Sequence, residues 1–202
     1  IMVWTGYNST NLAPCRFITE EGGLNSAHFE YEGEKVDSRI YFGYYPYSGN
    51  LIYNRIEINV PTDGSIIQET KNDSRHLGKY RPMYTKTVTR DYDSQELTGM
   101  EFGHLTGLLY FRIRNKSGRE ANIESVSIHC TSNLFPNNAV LQFVPETPER
   151  DATFEISGAS MSGSITLSLG KEKSGVLLSN EEIMQAYLPV LPVEDLSDTR
   201  LT

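Results

Sequence analysis

Ionisable side chains gather around one histidine in the middle of the chain. His104 follows Asp91, Asp93, Glu96 and Glu101. A histidine titrates near neutral pH and could serve as an acid, a base or a ligand. However, no G-x-S-x-G, H-E-x-x-H or phosphate-binding glycine-rich motif accompanies it. A packed or capped histidine at the entrance of a strand is therefore the preferred interpretation, and the sequence predicts no catalytic residue and no enzyme.

The acidic side chains near this histidine could bind calcium through their oxygen atoms. They lack the ordered Asp/Asn spacing and the turn glycine of a dedicated calcium loop. A solvated acidic face explains them better. The sequence therefore predicts no metal site and no cofactor.

Two cysteines, Cys15 and Cys130, allow one disulfide pairing. A disulfide would imply an oxidising compartment, whereas a small thiol fits equally well in a buried strand. Structural thiols are the preferred interpretation, and the disulfide stays open. A zinc site is less favoured because it needs four ligands at characteristic spacing, and the histidines are scattered.

Tyrosines crowd the segment Tyr41–Tyr47. Aromatic rings on a sheet could stack against sugar rings, or they could fill a core. Strand alternation places Tyr44 on the same side as Phe42, which favours the core for that ring. Tyr45 and Tyr47 remain as candidate glycan contacts.

Composition limits the classes of partner. The chain has 202 residues, of which 38% are hydrophobic and 22% charged, and its net charge is −8. Nucleic-acid binding depends on clustered Lys and Arg, so this acidic balance argues against it. No apolar run approaches the ~20 residues that a membrane-spanning helix needs, so no transmembrane segment is predicted.

The clearest strand pattern lies in Glu101–Asn115. Leu109, Phe111 and Ile113 alternate with polar or aromatic residues, which predicts a half-buried core strand. Turn residues come next, and alternation resumes in Ala121–Cys130. Together these segments predict a hairpin with a polar tip.

Many other short alternating runs are separated by Pro, Gly and charged residues. Helical periodicity is almost absent, and the best candidate is one helical turn in Asn180–Ala186. This pattern predicts an all-β fold, an antiparallel β-sandwich. The predicted organisation is an N-terminal β-sandwich domain over 1–132, with 133–202 completing it or beginning a second β domain.

Five segments form a recognisable series along the chain: Ile1–Trp4, Tyr41–Ser48, Val60–Asp63, Phe102–Ile113 and Tyr187–Val193. Their order is similar to that of fimbrillin-like proteins, the fimbrial subunits and adhesins of Bacteroides-type bacteria. The sequence resembles that family over nearly its whole length. The aromatic Y-Y-P-Y segment and the F-x-H-L strand are its most specific pieces. The signature residues are Tyr44, Tyr45, Pro46, Tyr47, Phe102, His104, Leu109, Phe111 and Ile113.

The resemblance implies a transthyretin-like β-sandwich at the cell surface. It implies a noncatalytic structural, tip or anchor subunit of a fimbrium, associated with the outer membrane and assembled with other subunits by strand donation. A host or bacterial surface receptor is a further expected partner. The alternative is a surface glycan-binding module that does not polymerise.

The chain begins at Ile1 inside an apparent strand. We expect a signal or lipid-attachment segment to precede it in the native protein.

Overall fold

The protein consists mostly of β-strands, as the sequence predicts. The computed structural model describes residues 2–6, 13–20, 29–33, 40–47, 55–85, 88–89, 100–143, 153–156, 160–193 and 199–201. Within these ranges, helix is limited to a four-residue turn, α1 (Leu77–Tyr80), and a 3₁₀ turn, Lys171–Lys173. No helix in these ranges is both long and apolar enough to span a membrane. The all-β class is confirmed, and the transthyretin-like topology stays a prediction.

Strands are short because turn residues repeatedly interrupt the alternating runs. The first nine are β1 Met2–Gly6, β2 Ala13–Ile18, β3 Glu30–Tyr31, β4 Ile40–Tyr45, β5 Arg55–Asn59, β6 Asp63–Gln68, β7 Met83–Thr85, β8 Val88–Thr89 and β9 Phe102–His104. The remainder are β10 Gly107–Arg114, β11 Ala121–Ile123, β12 Ser125–Cys130, β13 Phe135–Pro136, β14 Asn138–Gln142, β15 Thr153–Ile156, β16 Met161–Ser162, β17 Ser164–Leu169, β18 Val176–Leu178, β19 Ile183–Val190 and β20 Thr199–Leu201.

The chain divides into two compact units, each assembled from separate stretches of sequence. The first unit comprises 1–58, 82–104 and 140–155, and the second comprises 59–81, 105–139 and 156–202. The domain boundary predicted between residues 132 and 133 is not tested by this division and stays a prediction.

The first unit is organised around a sheet with the strand order β3-β2-β1-β4-β7-β9, in which β8 also pairs with β4. A three-stranded sheet, β15-β14-β5, lies chiefly in the same unit. Phe42 and Phe143 are fully buried, and their rings stack with centroids 4.1 Å apart. Alternation in Leu51–Val60 predicts that Ile56 and Ile58 point inward. In β5 these two residues are buried while their neighbours along the strand are exposed, which confirms that prediction.

Alternation alone is a poor guide to β4, because both of its faces are buried. Tyr41 and Tyr44, which alternation assigns to opposite faces, are 7% and 4% exposed. Gly43 between them is also buried, and a Cβ there would lie 2.8 Å from the Phe102 ring. The missing side chain at Gly43 therefore leaves room for that ring.

The second unit contains a four-stranded sheet with the order β20-β12-β17-β6. The β6–β17 pair is parallel, and the other pairs are antiparallel. Two-stranded ladders join β10 to β19, β11 to β18 and β13 to β16. Apolar side chains from these strands form the core: Ile66, Val126, Ile128, Ile165, Leu167, Leu169, Leu178, Met184 and Leu188.

Glu101–Asn115, predicted as one core strand, is two strands. β9 ends at His104 and pairs with β7, whereas β10 begins at Gly107 and pairs with β19. The predicted hairpin is therefore wrong: β11 pairs with β18, and β12 pairs with β17 and β20. Consecutive strands are neighbours only about two-thirds of the time, so a polar turn between them does not fix the pairing.

The helical turn predicted in Asn180–Ala186 is also wrong, because β19 begins at Ile183. Asn180 and Glu181 form a turn, with Glu181 at a φ of 67°. The Glu182 carboxylate accepts a hydrogen bond from the Ser179 N–H at 2.8 Å and stabilises this turn. Local carboxylate bonds therefore favour a turn here, and from Ile183 onward the ladder with β10 holds the backbone in an extended strand.

Asn115 fastens the turn after β10 to the end of β18. Its side-chain amide donates to the carbonyl oxygens of Arg119 at 2.7 Å, Leu178 at 2.8 Å and Ser179 at 3.2 Å. The residue is only 6% exposed, so these bonds replace water as its partners.

Cys15 and Cys130 are both thiols in the structure, in agreement with the preferred interpretation of the sequence. Cys15 is buried, and the Cys130 sulfur lies 3.5 Å from the Ser132 hydroxyl.

Candidate functional site

The Y-Y-P-Y segment contains rings in very different environments. Tyr44 is buried, and burial raises the pKa of its hydroxyl to about 12. Tyr45 and Pro46 are half-buried and are joined by a cis peptide bond. Tyr47 is 44% exposed, so it is the ring of this segment that a ligand could reach most readily.

Tyr47 has a cationic neighbour. The Arg16 guanidinium lies 5.3 Å from the centroid of the Tyr47 ring, and it also pairs with Glu32 at 3.0 Å. A guanidinium over an aromatic face is a favourable cation–π contact. The contact orders the exposed ring next to a charged group.

The F-x-H-L segment is split between the two units. Phe102 is half-buried and His104 is exposed, and β9 places them opposite Thr85 and Met83. β7 lies between β4 and β9, so the structure brings these residues into the same sheet as the Y-Y-P-Y segment. The remaining signature residues lie on β10 in the second unit. The proposed roles of all nine signature residues stay predictions.

β10 is less buried than its sequence suggests. Leu109, Phe111 and Ile113, predicted to be core side chains, are each only half-buried. β10 pairs with β19 over its whole length, and no strand pairs with its other edge in the part of the chain that the structure describes. An unpaired edge with incompletely covered apolar side chains is a template for strand addition.

The other edge of this two-stranded ladder is closed by side chains. Gln68 is fully buried; its amide nitrogen donates to the Gln185 carbonyl at 2.8 Å, and its oxygen accepts from the Tyr187 N–H at 3.1 Å. The Asn72 side chain accepts from the Gln185 N–H at 2.7 Å. His76 Nε2 lies 2.7 Å from the Tyr187 carbonyl. These three residues, the edge cap, occupy the outward backbone groups of β19 at Gln185 and Tyr187.

His76 has a defined protonation pattern within the edge cap. A carbonyl oxygen only accepts hydrogen bonds, so Nε2 carries the proton. Nδ1 is buried and has no hydrogen-bond partner among the residues that the structure describes. Burial lowers the pKa of His76, although the Tyr187 carbonyl and the Asp73 charge act in the opposite direction. The neutral ring is therefore the form that the cap favours.

A surface cavity of about 290 Å³ lies beside the cap, lined by Ile67, Glu69, Asp73, Arg75 and His76. Asp73 and Arg75 form a two-pronged ion pair with distances of 2.9–3.1 Å, and this contact lowers the pKa of Asp73. The charges on these two walls therefore neutralise each other. No group of three or more His, Cys, Asp or Glu suited to a metal ion occurs among the residues that the structure describes.

The edge cap is not evident from the sequence. The polar run Ile66–Gly78 indicates a surface loop, whereas β6 extends to Gln68 and α1 begins at Leu77. One signal is present: Gly64, Ile66 and Gln68 alternate on the inward face of β6. An inward-facing amide among buried positions requires hydrogen-bond partners, although the sequence does not identify them.

The fold is similar to that of a protein from Bacteroides uniformis to which a cell-adhesion role is provisionally assigned. The TM-score is 0.60 at 14% sequence identity, and the match covers 99% of this chain and 71% of the other. At this identity the similarity shows the fold alone. No protein-family model matches the sequence, and no curated protein matches it. Membership of the fimbrillin-like family stays a prediction.

Proposed function

We propose that the protein is a noncatalytic cell-surface adhesion protein, a structural, tip or anchor subunit of a fimbrium, that joins other subunits by strand addition. The similarity in fold to the Bacteroides uniformis protein supports the adhesion role. The proposed location is the outer surface of the cell, reached through a signal or lipid-attachment segment. A surface receptor on a host or bacterial cell is the proposed second partner.

The open edge of β10 carries this proposal. It is eight residues long, and its inward side chains Leu109, Phe111 and Ile113 are half-exposed. An added strand would satisfy the unpaired backbone groups and cover those side chains at the same time. Backbone pairing supplies affinity, and the fit of alternate side chains supplies specificity.

The test is to isolate the full-length protein from the bacterium that makes it. We expect protease added to intact cells to digest the protein, because it is exposed at the surface, while a cytoplasmic marker in the same cells stays intact. We also expect recovery in assemblies with other subunits that withstand detergent and dissociate on boiling. A protein that stays inside the cell, or that reaches the surface only as a monomer, contradicts the proposal.

Tyr47 favours a second candidate function, the binding of a surface glycan. Its ring is exposed and held beside Arg16, so it could stack on a sugar while the guanidinium bonds a hydroxyl or carboxylate. The test is a glycan-array screen of the wild type and Tyr47→Ala. Tyr110→Ala is the matched control, because Tyr110 is 52% exposed but lies in the second unit. Loss of binding in Tyr47→Ala alone supports this function, and no glycan binding by the wild type excludes it.

A further inference from the structure

The two edges of the β10–β19 ladder differ in their capacity to accept another strand. The cap residues Gln68, Asn72 and His76 already bond the outward N–H and C=O groups of Gln185 and Tyr187. A strand arriving at this edge would have to displace all of these bonds. The β19 edge is therefore closed.

Pro189 closes the same edge further along. In an antiparallel ladder, hydrogen-bonded residue pairs alternate with non-hydrogen-bonded pairs. The residues of a non-hydrogen-bonded pair point their N–H and C=O groups away from each other. Gln185 and Tyr187 bond outward, so Pro189 also faces outward from β19. Proline has no N–H group. At this outward position the missing N–H removes no hydrogen bond from the ladder with β10, and it leaves an incoming strand without a donor.

The same alternation identifies the backbone groups of β10 that face the open edge. Tyr110 is opposite Tyr187, and Arg112 is opposite Gln185. Because the β19 members of these pairs bond away from β10, the N–H and C=O groups of Tyr110 and Arg112 point away from β19. No hydrogen bond to them occurs in the described part of the chain.

The two outer strands of the four-stranded sheet, β20 and β6, are poorer acceptors. The edge strand β20 has three residues. β6 is longer, but a register shift interrupts its ladder with β17, and Gly64 has a φ of 81°. The inward residues Gly64, Ile66 and Gln68 of β6 are already buried. An added strand would gain little apolar burial there, whereas β10 has side chains left to cover.

Charge distinguishes the partners that β10 could accept. Arg114 forms an ion pair with Glu181 at 2.5 Å. Arg112 is exposed and has no carboxylate partner among the described residues. An acidic side chain on an added strand would neutralise Arg112, because directly neighbouring side chains on one face of a sheet interact.

We propose that strand addition takes place at the β10 edge, on the backbone groups of Tyr110 and Arg112. The incoming segment carries apolar side chains at alternate positions beside Leu109, Phe111 and Ile113, and an Asp or Glu on the other face beside Arg112. This inference rests on the proposed function and names the chemistry of its partner.

The first experiment measures binding of two synthetic peptides to the full chain. Both are as long as β10, with valine at alternate positions and threonine between them. One threonine is replaced by glutamate in the first peptide and by lysine in the second. We expect the glutamate peptide to bind the wild type about fivefold more tightly, and Arg112→Glu to reverse that preference. Equal binding of the two peptides to both proteins would overturn the charge assignment.

The second experiment locates the added strand by hydrogen exchange. We expect the glutamate peptide to slow exchange at the amides of Tyr110 and Arg112. Arg112→Pro removes one of these donors and should abolish binding, whereas Arg112→Ala keeps the donor and should weaken binding only about fivefold. Thermal unfolding of both variants confirms that they are folded. Protection along β19 instead, or no binding of either peptide to the wild type, overturns the inference.

These results are independent of the test of the proposed function. Surface location and subunit assembly are measured in the native cell, without the peptides. The protein could assemble through another edge, in which case the proposed function stands and the inference fails. Conversely, the protein could stay inside the cell as a monomer while its β10 edge still binds the glutamate peptide. In that case the proposed function fails and the inference stands.

Discussion

The imidazole of His76 makes the edge cap sensitive to pH. Its folded pKa is lowered by burial, so the folded protein binds this proton less readily than the unfolded chain does. The stabilising contribution is complete above the ordinary histidine value of 6.5 and is lost as the pH falls below it. Asp73 and Glu69 face the same cavity and Arg75 carries the opposing charge, so the net effect is moderated.

The free energy of unfolding should decrease more between pH 7.5 and pH 5.5 in the wild type than in His76→Gln. We expect the two decreases to differ by less than about 1 kcal/mol. The measurement is urea denaturation at both pH values. His129→Gln is the matched control for replacing a histidine, because His129 is exposed on β12 and does not belong to the edge cap. A wild type and His76→Gln with the same pH dependence would show that the pKa of His76 is the same in the folded and unfolded protein.

Long-range partners explain why the sequence did not reveal this residue. His76 and Tyr187 are 111 positions apart, and Gln68 and Tyr187 are 119 apart. Residue type shows that a histidine and an amide are present, but only the fold supplies the carbonyl and N–H groups that give them a role. By contrast, the burial of Ile56 and Ile58 follows from local alternation and was predicted correctly.

At the scale of the element, one edge of β10 is hydrogen-bonded to β19 and the other edge is open. A proline that replaces a residue whose N–H points to the open edge removes no ladder bond. A proline that replaces a residue bonded to β19 does remove one. The register places Arg112 in the first group and Phe111, opposite Ala186, in the second.

We therefore expect Arg112→Pro to unfold close to Arg112→Ala, and Phe111→Pro to be less stable than Phe111→Ala by about 1–3 kcal/mol. Comparison with alanine removes the contribution of each lost side chain. The measurement is the free energy of unfolding in denaturant. If proline costs the same at both positions, the assignment of the outward and inward backbone groups is incorrect.

Strand existence was more predictable than strand pairing. Alternation located β5, β10 and β12, because a half-buried strand requires that pattern wherever its partner lies. The partner of β10 is β19, and the paired residues run from Arg114 with Ile183 to Gly107 with Val190, far apart in the sequence. Nothing in either segment specifies the other. The three half-exposed side chains of β10 could not be predicted either, because alternation identifies a face and does not show which residues cover it.

At the scale of the whole molecule, the chain enters each compact unit more than once. Residues 140–155 return to the first unit after the chain has contributed two stretches to the second. Phe143 in this late stretch stacks on Phe42 from the early one. No feature of the sequence indicates such returns, so the interleaving of the two units could not be predicted from it.

The fragment 1–132 distinguishes the domain predicted from the sequence from the two interleaved units. If 1–132 is a domain, the fragment should fold by itself, whereas the first unit also needs residues 140–155. From the structure we expect no cooperative unfolding, because the fragment lacks Phe143 and Leu141, which are 1% and 0% exposed in the intact chain. Removing such buried apolar side chains costs several kcal/mol each, about the stability of a small domain. Thermal denaturation followed by circular dichroism decides between them. A single sharp transition in the fragment, as in the full chain, would support the boundary at 132.

The buried amide of Asn115 has a consequence for covalent modification. Asn115-Lys116-Ser117 is an acceptor triplet for N-linked oligosaccharide. In the folded protein this nitrogen already donates to three carbonyl oxygens, so a glycan attached there would remove a donor and place a bulky sugar in a buried position. A eukaryotic secretory host that glycosylates the emerging chain would therefore yield a form that cannot close the turn after β10. Bacterial production avoids this modification.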